Sequence, residues 1–412
     1  MPSTARVLAS ASDAPLAISG GEPVRKKPMP MRAALGAHEE AIIKEVIEHY
    51  RGRGLDPGYQ GEFEKRYTDA FVAQMGGGYA DAVATGTAAL FVAVAALGLP
   101  EGSEVIVSPI TDPGSLSAII LNRLVPRVAD SAPGRYGMEV EQFVARITPK
   151  VRAVMVVHSI GQPVNVREIV REAHARGIRV IEDCSQSHGA KVNGRPIGTF
   201  GDIAAFSAMY RKAHIAGGSG GIVYSRDRDL FRQALAHADR GKPRWNPGFI
   251  DNDPHGFLFP ALNLHTDEIS CGIGLISLGR LQDTIMRRLV FVAELTGRMR
   301  DRCKLCHPYG YSPSDSPFIY PVIVDVDRIA CSKIEFAEAV LAEGIGLNPH
   351  YCYLVVDWPW LKPYLADGFE TANARDIRDR SFCLYLNENY GLSEASDCVA
   401  AMVKVEKHFG RA

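Results

Sequence analysis

The chain has 412 residues, of which 46% are hydrophobic and 23% charged, and its formal net charge at pH 7 is −1. This composition is typical of a soluble globular protein with about two to three structural units. The near-zero charge excludes the broad positive field that binding to nucleic acid or to an anionic membrane would need. We therefore expect small-molecule partners, with no nucleic acid and no membrane.

The first residues, MPSTARVLASASDAP, lack the apolar run of a signal peptide. We expect no secretion signal and predict that residues 1–14 form a disordered tail. The eight cysteines are scattered, and Cys303 and Cys306 form a CxxC with no second pair to complete a zinc site. The sequence therefore predicts no metal centre and free thiols in a reducing cytoplasm.

The middle of the chain alternates apolar strand patterns with helix patterns. The window at 82–100 predicts a buried helix, because its threonines, glycines and alanines suit a membrane span poorly. Residues 103–109 and 151–159 predict buried strands, 165–177 a helix and 178–184 a third strand. Strand, helix and strand within about 35 residues form a βαβ unit, which predicts a parallel sheet with a right-handed crossover.

Two further strands are predicted at 203–207 and 221–225, followed by one long amphipathic helix at 275–299. Beyond this helix the pattern changes to shorter helices and strands. We therefore predict a large domain over 15–275 and a smaller α/β domain over 276–412.

A first candidate for chemistry is ATGTAAL, at 84–90. Gly86 and Thr87 precede a run of strong helix formers, so the N–H groups and the Thr87 hydroxyl at this helix N-terminus could hold a phosphate. The alternative is that Thr87 is only an N-cap residue.

A second candidate is IEDCSQSHGA, at 181–190. Asp183 follows a strand of the predicted parallel sheet, at the edge where ligands bind, and could hold a positive charge. Gln186 could bind an anionic oxygen of the same ligand. The alternative is an ordinary turn built from Asp, Ser and Gly.

A third candidate is Lys212, in FSAMYRKAHIAGGSGGIVYS at 206–225. A lysine acts as a nucleophile when burial or a neighbouring cation, such as Arg211, lowers its pKa. The glycines that follow would let the backbone approach a ligand closely. The alternative is a lysine beside an exposed loop.

Together these segments supply a phosphate cradle, a carboxylate and a lysine, which are the contacts that pyridoxal 5′-phosphate (PLP) requires. The sequence resembles the DegT/DnrJ-type (StrS-like) sugar and aminocyclitol aminotransferases on GTAAL, VHSIGQP, IEDCSQSHGA, GRPIGTFGDIAAFS and FSAMYRK. The resemblance implies fold-type I, an α/β fold. It consists of a large domain with a mostly parallel, seven-stranded sheet flanked by helices and a smaller C-terminal α/β domain.

The resemblance also implies roles for single residues. Lys212 ends the FSxxxxK pattern and would form the Schiff base with PLP. Asp183 would pair with the pyridine nitrogen, and Gln186 would lie near the ring hydroxyl. The residues implied at the cofactor phosphate are Gly86, Thr87, Ala88 and Ser207.

In LNLHTDEIS, at 262–270, the resemblance implies that Asn263 reaches the phosphate of a neighbouring subunit, and hence a homodimer with shared active sites. Two departures stand out. Asp112 occupies a position where many relatives stack an aromatic residue on the ring, and His265 one where they have arginine or lysine.

Other residues are candidates for the substrate side. His350 and Tyr351 resemble a His-Tyr pair of the family, although an exposed histidine beside a core tyrosine explains them equally well. Asp112 is a further candidate for substrate binding. His158 and Tyr59 are weaker candidates, for which a structural role is the alternative.

The sequence thus predicts a PLP-dependent aminotransferase that transfers an amino group from glutamate or glutamine to a ketosugar or ketocyclitol, in aminosugar or aminoglycoside-type biosynthesis. One alternative is a PLP-dependent sugar dehydratase or epimerase, although such relatives usually carry histidine in place of the lysine. The other is a non-catalytic, PLP-binding regulator with the same fold.

Overall fold

A computed structural model describes residues 15–411. The predicted disordered tail at 1–14 lies outside the described residues. The strands are β1 Tyr79–Val83, β2 Glu104–Val107, β3 Val125–Val128, β4 Val151–Val157, β5 Arg179–Asp183, β6 Lys191–Val192, β7 Arg195–Pro196, β8 Ile203–Ser207, β9 Gly221–Ser225, β10 Cys306–Pro308, β11 Ile319–Val324, β12 Leu347–Asn348 and β13 Ser381–Tyr385.

The helices alternate with these strands in the first two thirds of the chain. They are α1 Ala37–Arg51, α2 Glu62–Gln74, α3 Gly86–Ala96, α4 Pro113–Leu121, α5 Val140–Val144, α6 Val166–His174, α7 Arg228–Ala238, α8 Glu268–Gly279, α9 Leu281–Arg302, α10 Lys333–Ala342, α11 Ala372–Asp379 and α12 Leu392–Phe409.

Seven strands form the main sheet, in the order β1-β9-β8-β5-β4-β2-β3. β9 runs antiparallel to both of its neighbours, whereas the strands from β8 to β3 pair in parallel. The predicted strand, helix and strand over 151–184 are confirmed as β4, α6 and β5. Strand β8 is buried along its whole length, as expected for a central strand of a sheet that is covered on both faces.

The second sheet is small and antiparallel, in the order β10-β11-β13-β12, and it shares one hydrophobic core with α9, α10 and α12. Its core includes Leu16, and Val24 and Met29 pack against that core. The N-terminal segment therefore contacts the C-terminal sheet, although the sequence placed residues from 15 onward in the large domain. The division into domains at 275 stays a prediction.

One predicted element differs in its course. The single helix expected at 275–299 is two helices, because α8 ends at Gly279 and α9 begins at Leu281, with Arg280 between them. The apolar window at 82–100 forms the buried helix α3, as predicted. Within residues 15–411, no helix combines the length and apolar character needed to cross a bilayer.

Candidate active site

Lys212 lies in the irregular segment between β8 and β9, with its side chain buried in the protein. Burial lowers the pKa of its amine, and the carboxylates of Asp183 and Asp112 oppose this shift. The ammonium nitrogen lies 4.6 Å from the centre of the Phe318 ring. The sequence offered two causes for a lowered pKa of Lys212, burial and the neighbouring cation Arg211. Burial is the cause in the structure, whereas the exposed Arg211 side chain stacks over the Tyr210 ring.

The N-terminus of α3 lines a cavity of about 290 Å³, and the residues around this cavity include Gly86, Thr87, Ser207 and Lys212. Thr85 is the N-cap residue, because its hydroxyl oxygen accepts a 2.8 Å hydrogen bond from the Ala88 N–H. The alternative that Thr87 caps the helix is therefore wrong. The Ala88 N–H is thus bonded to the Thr85 hydroxyl, and the phosphate contact expected of Ala88 stays a prediction.

Asp183 is the last residue of β5 and lines the same cavity. Its Oδ2 accepts a 2.8 Å hydrogen bond from the Ser115 hydroxyl, and its Oδ1 accepts one of 3.1 Å from the Ser185 N–H. The neighbouring Glu182 points to the opposite face of the sheet, as alternation along a strand requires. Its carboxylate accepts hydrogen bonds from three backbone N–H groups, those of Gly198, Phe200 and Gly201, at 2.7 Å each.

Gln186 lies between the inner cavity and a larger outer one. Its side-chain oxygen accepts a 2.7 Å hydrogen bond from the N–H of Ile160, a residue with a left-handed backbone (φ 59°). Its amide nitrogen lies 3.5 Å from the Tyr351 hydroxyl. Gln186 therefore fixes a strained turn with one end and faces the cavities with the other.

The outer cavity has a volume of about 530 Å³ and shares Asp112, Gln186, Met209 and Lys212 with the inner one. Hydroxyl and amide side chains dominate the rest of its polar lining. They belong to Tyr210, Tyr351, Tyr353, Tyr385, Asn348 and Asn387, beside the cations Arg32, Arg211 and Arg288.

The structure separates the two members of the predicted His-Tyr pair. Tyr351 lines the outer cavity, but His350 lines neither cavity. The His350 ring nitrogen Nδ1 instead lies 2.9 Å from the ammonium of Lys333, which also donates to the Pro349 carbonyl. Asp112 lines both cavities, with one carboxylate oxygen accepting the Gly114 N–H at 2.9 Å.

The remaining candidates lie outside both cavities. Asn263 contacts the hydroxyl of Tyr59, at 3.4 Å, and the Tyr59 ring stacks on His265 at 4.5 Å between ring centres. His158 is fully buried, with Nε2 3.2 Å from Glu182 and Nδ1 accepting the Val164 N–H at 3.3 Å. Both ring nitrogens of His158 are thus used within the protein, which fits the structural alternative.

Sequence reasoning missed Ser115, which holds Asp183, and Phe318 and Arg32, which lie beside Lys212. A serine in the first turn of α4 has no distinctive sequence pattern. Phe318 and Arg32 come from segments far from Lys212 in the chain, so local patterns contain no signal for them.

The close approach of α3 to β8 predicts the effect of one glycine substitution. A Cβ on Gly86 would lie 2.4 Å from the Ser207 Cβ and 2.7 Å from its hydroxyl oxygen. Overpacking costs about 1–3 kcal/mol, and here it would push Ser207 and the N-terminus of α3 apart. Because both are expected at the cofactor phosphate, we expect Gly86→Ala to weaken PLP binding by roughly 10- to 100-fold. Titration of the protein with PLP, followed by absorbance, measures this.

Gly218→Ala is the matched control, since a Cβ there would have no atom within 4 Å. It should bind PLP like the unchanged protein. Equal affinity of the Gly86 and Gly218 variants would contradict the assignment of the α3 N-terminus as the phosphate cradle.

The family model of the DegT/DnrJ/EryC1/StrS aminotransferase family matches residues 37–403. The chain belongs to this family. The predicted family resemblance is thereby confirmed over most of the chain.

Similar proteins agree with this membership. The chain is 30% identical to a putative L-glutamine:3-amino-2,3-dideoxy-scyllo-inosose aminotransferase of Micromonospora echinospora, over 96% of this chain and 98% of that protein. It is 34% identical to GDP-perosamine synthase of Escherichia coli O157:H7 over 56% of this chain, an alignment that spans only 61% of that relative's length.

A solved structure shows the same fold. It is the Escherichia coli GDP-4-keto-6-deoxy-D-mannose-3-dehydratase with bound hydrated PLP, at a TM-score of 0.82 and 21% identity, over 91% of this chain and 98% of that one. The predicted α/β fold with a mostly parallel seven-stranded sheet is confirmed.

Proposed function

We propose that the protein is a PLP-dependent aminotransferase that transfers an amino group from glutamate or glutamine to a ketosugar or ketocyclitol. One observation carries the proposal. A buried lysine with a lowered pKa, the carboxylate of Asp183 and the N-terminus of α3 line one cavity. The names of the Micromonospora relative and of the family support the same reaction class.

The residues of the inner cavity fit PLP. Gly86, Thr87 and Ser207 would hold the phosphate, because the N–H groups of the first turn of α3 meet hydroxyl groups there, and the absence of a side chain on Gly86 lets the helix lie directly against Ser207. Asp183 would pair with the pyridine nitrogen, and Gln186 would lie near the ring hydroxyl. When bound, PLP supplies an electron sink that stabilises negative charge at the reacting carbon.

Lys212 would serve as both nucleophile and proton carrier. Its lowered pKa increases the fraction of neutral amine, which is the form that attacks a carbonyl and accepts a proton. Asp183, anchored by Ser115, would keep a positive charge on the ring nitrogen. The side chain of Lys212 faces both cavities, so the same amine can serve the donor and the acceptor.

The outer cavity suits a ring that carries hydroxyl groups. Four tyrosine hydroxyls and two asparagine amides offer uncharged donors and acceptors. The names of the two relatives contain perosamine, which is a sugar, and scyllo-inosose, which is a cyclitol derivative. We include aminosugar or aminocyclitol biosynthesis in the proposal on this basis.

We further propose a cytoplasmic homodimer in which Asn263 serves the partner's site. In the single chain, Asn263 lies outside both cavities. Exposed apolar side chains, Ile250, Leu258 and Leu262, lie in the segment that leads to it and would be covered by a second copy. All eight cysteines lie within the described residues and are free, which suits a reducing compartment.

The test is the visible absorbance of the purified protein with PLP, before and after addition of L-glutamate or L-glutamine. We expect a band from cofactor linked to Lys212, its loss with one of these donors, and release of the corresponding keto acid. A regulator would hold PLP without releasing keto acid. A dehydratase would eliminate water from a deoxyketosugar instead of aminating it. Absence of any PLP-dependent band would contradict the proposal.

A further inference from the structure

Arg32 connects three parts of the chain that meet beside Lys212. Its Nε donates to Glu388 Oε1 at 2.8 Å, its Nη1 to the Tyr210 carbonyl at 2.9 Å, and its Nη2 to the Ala213 carbonyl at 3.1 Å. The Arg32 side chain is only 15% exposed. Because a guanidinium holds its donors in a rigid planar fork, these bonds fix the acceptors in one relative position.

The two carbonyls flank the lysine. The segment between β8 and β9 has no ladder partner at Lys212, whose own N–H donates to the Met209 carbonyl at 2.8 Å. With the peptide groups of Tyr210 and Ala213 both held by Arg32, the backbone between them has little freedom. The position of the Lys212 amine in the cavity therefore depends on Arg32.

Glu388 holds Arg32 from the other side. It lies between β13 and α12 and also accepts a 2.9 Å hydrogen bond from Arg288 Nη2. Arg288, which is fully buried, donates to the carbonyl of Pro317, the residue before the Phe318 ring that faces Lys212. Burial opposes ionisation of Glu388, but the guanidiniums of Arg288 and Arg32 outweigh it and lower the pKa of this carboxyl.

We propose that Arg32, held by Glu388, is a positioning residue that fixes the backbone on both sides of Lys212. The inference rests on the proposed function, since it concerns how the reactive lysine is presented to the cofactor. Through this contact the segment between β13 and α12, which contains Glu388, helps to set the position of the Lys212 amine.

Arg32 also lines the outer cavity, so its positioning role must be separated from substrate binding. A residue that only binds substrate would change KM and leave the substrate-free protein unaffected. A positioning residue changes the rate at which Lys212 captures PLP when no substrate is present, and it lowers kcat. The capture rate of the substrate-free protein is thus the decisive readout.

The experiment compares Arg32→Gln with Arg25→Gln. Arg25 lies in the same N-terminal segment and also ties it to α12, through Asp397 at 2.6 Å and Glu394 at 3.1 Å, but it has no bond to the Lys212 segment. We expect Arg32→Gln to slow PLP capture and kcat by roughly 10- to 100-fold with little change in KM, because small misplacements of a reacting group cost this much. Arg25→Gln should capture PLP at the rate of the unchanged protein.

Two further variants cover the case in which Arg32→Gln does not fold. Arg32→Lys keeps the charge, but an ammonium cannot bridge two carbonyls and a carboxylate in the same geometry, so we expect an intermediate capture rate. Glu388→Gln should slow capture in the same direction. Unchanged capture in a folded Arg32→Lys and Glu388→Gln, or an equal loss in Arg25→Gln, would overturn the positioning role. Failure of the unchanged protein to capture PLP would instead overturn the proposed function.

Discussion

Replacing Lys212 by alanine is expected to abolish transamination while the protein stays folded. Among the described residues, Lys212 carries the single primary amine that lines the inner cavity. Without this amine, no side chain can attack the cofactor carbonyl and carry the transferred proton. We expect turnover to fall by roughly 10³-fold or more. Steady-state keto acid release and trapping of PLP with borohydride, followed by peptide mass analysis, measure both effects.

The matched variant is Lys212→Arg, which keeps the positive charge but cannot become a neutral amine. It should be as inactive as Lys212→Ala, and borohydride should attach no PLP to either variant. Circular dichroism should match the unchanged protein in Lys212→Ala, because burial already disfavours the charged form of this side chain. The same measurement checks that Lys212→Arg is folded. Substantial turnover in Lys212→Ala would contradict the proposed function.

Replacing Asp183 by asparagine should separate cofactor capture from turnover. The substitution removes the negative charge expected at the ring nitrogen, and we expect turnover to fall by roughly 10²- to 10⁴-fold. Asp183 also raises the pKa of Lys212, so its loss should lower that pKa further. Capture of PLP near neutral pH should therefore be no slower than in the unchanged protein, as stopped-flow absorbance can measure.

Two controls belong with Asp183→Asn. Ser115→Ala removes the hydrogen bond to Oδ2 but keeps the charge, so turnover should fall by about tenfold or less. Glu182→Gln disturbs the carboxylate on the opposite face of the sheet and should lower the free energy of unfolding by about 1–3 kcal/mol, with turnover of the folded protein little changed. If Asp183→Asn retained full turnover, Asp183 would not be the ring partner.

The parts of this molecule that the sequence predicted are those with short-range patterns. Apolar runs such as 151–159 mark strands buried on both faces, and the parallel topology follows from the helix between them. The strand ends then bring Asp183 and Lys212 to one cavity, although more than twenty residues separate them.

Other features could not be predicted because geometry decides between neighbours that look equal in sequence. Thr85 and Thr87 both suit a helix N-cap, and the backbone places Thr85 in that role, which leaves Thr87 to face the cavity. His350 and Tyr351 are adjacent, yet Lys333 holds the first away from the cavity that the second lines. The break at Arg280 likewise interrupts a continuous helical pattern.

The bond between Arg32 and Glu388 joins residues 356 positions apart. Contacts of such long sequence separation form late in folding, because the chain between them must first be ordered. On the ribosome, the large sheet and helix α3 can assemble while Glu388 is still unsynthesised. We therefore expect a nascent chain to acquire a lasting hold on its cofactor only after the segment that contains Glu388 has been synthesised and has docked against Arg32.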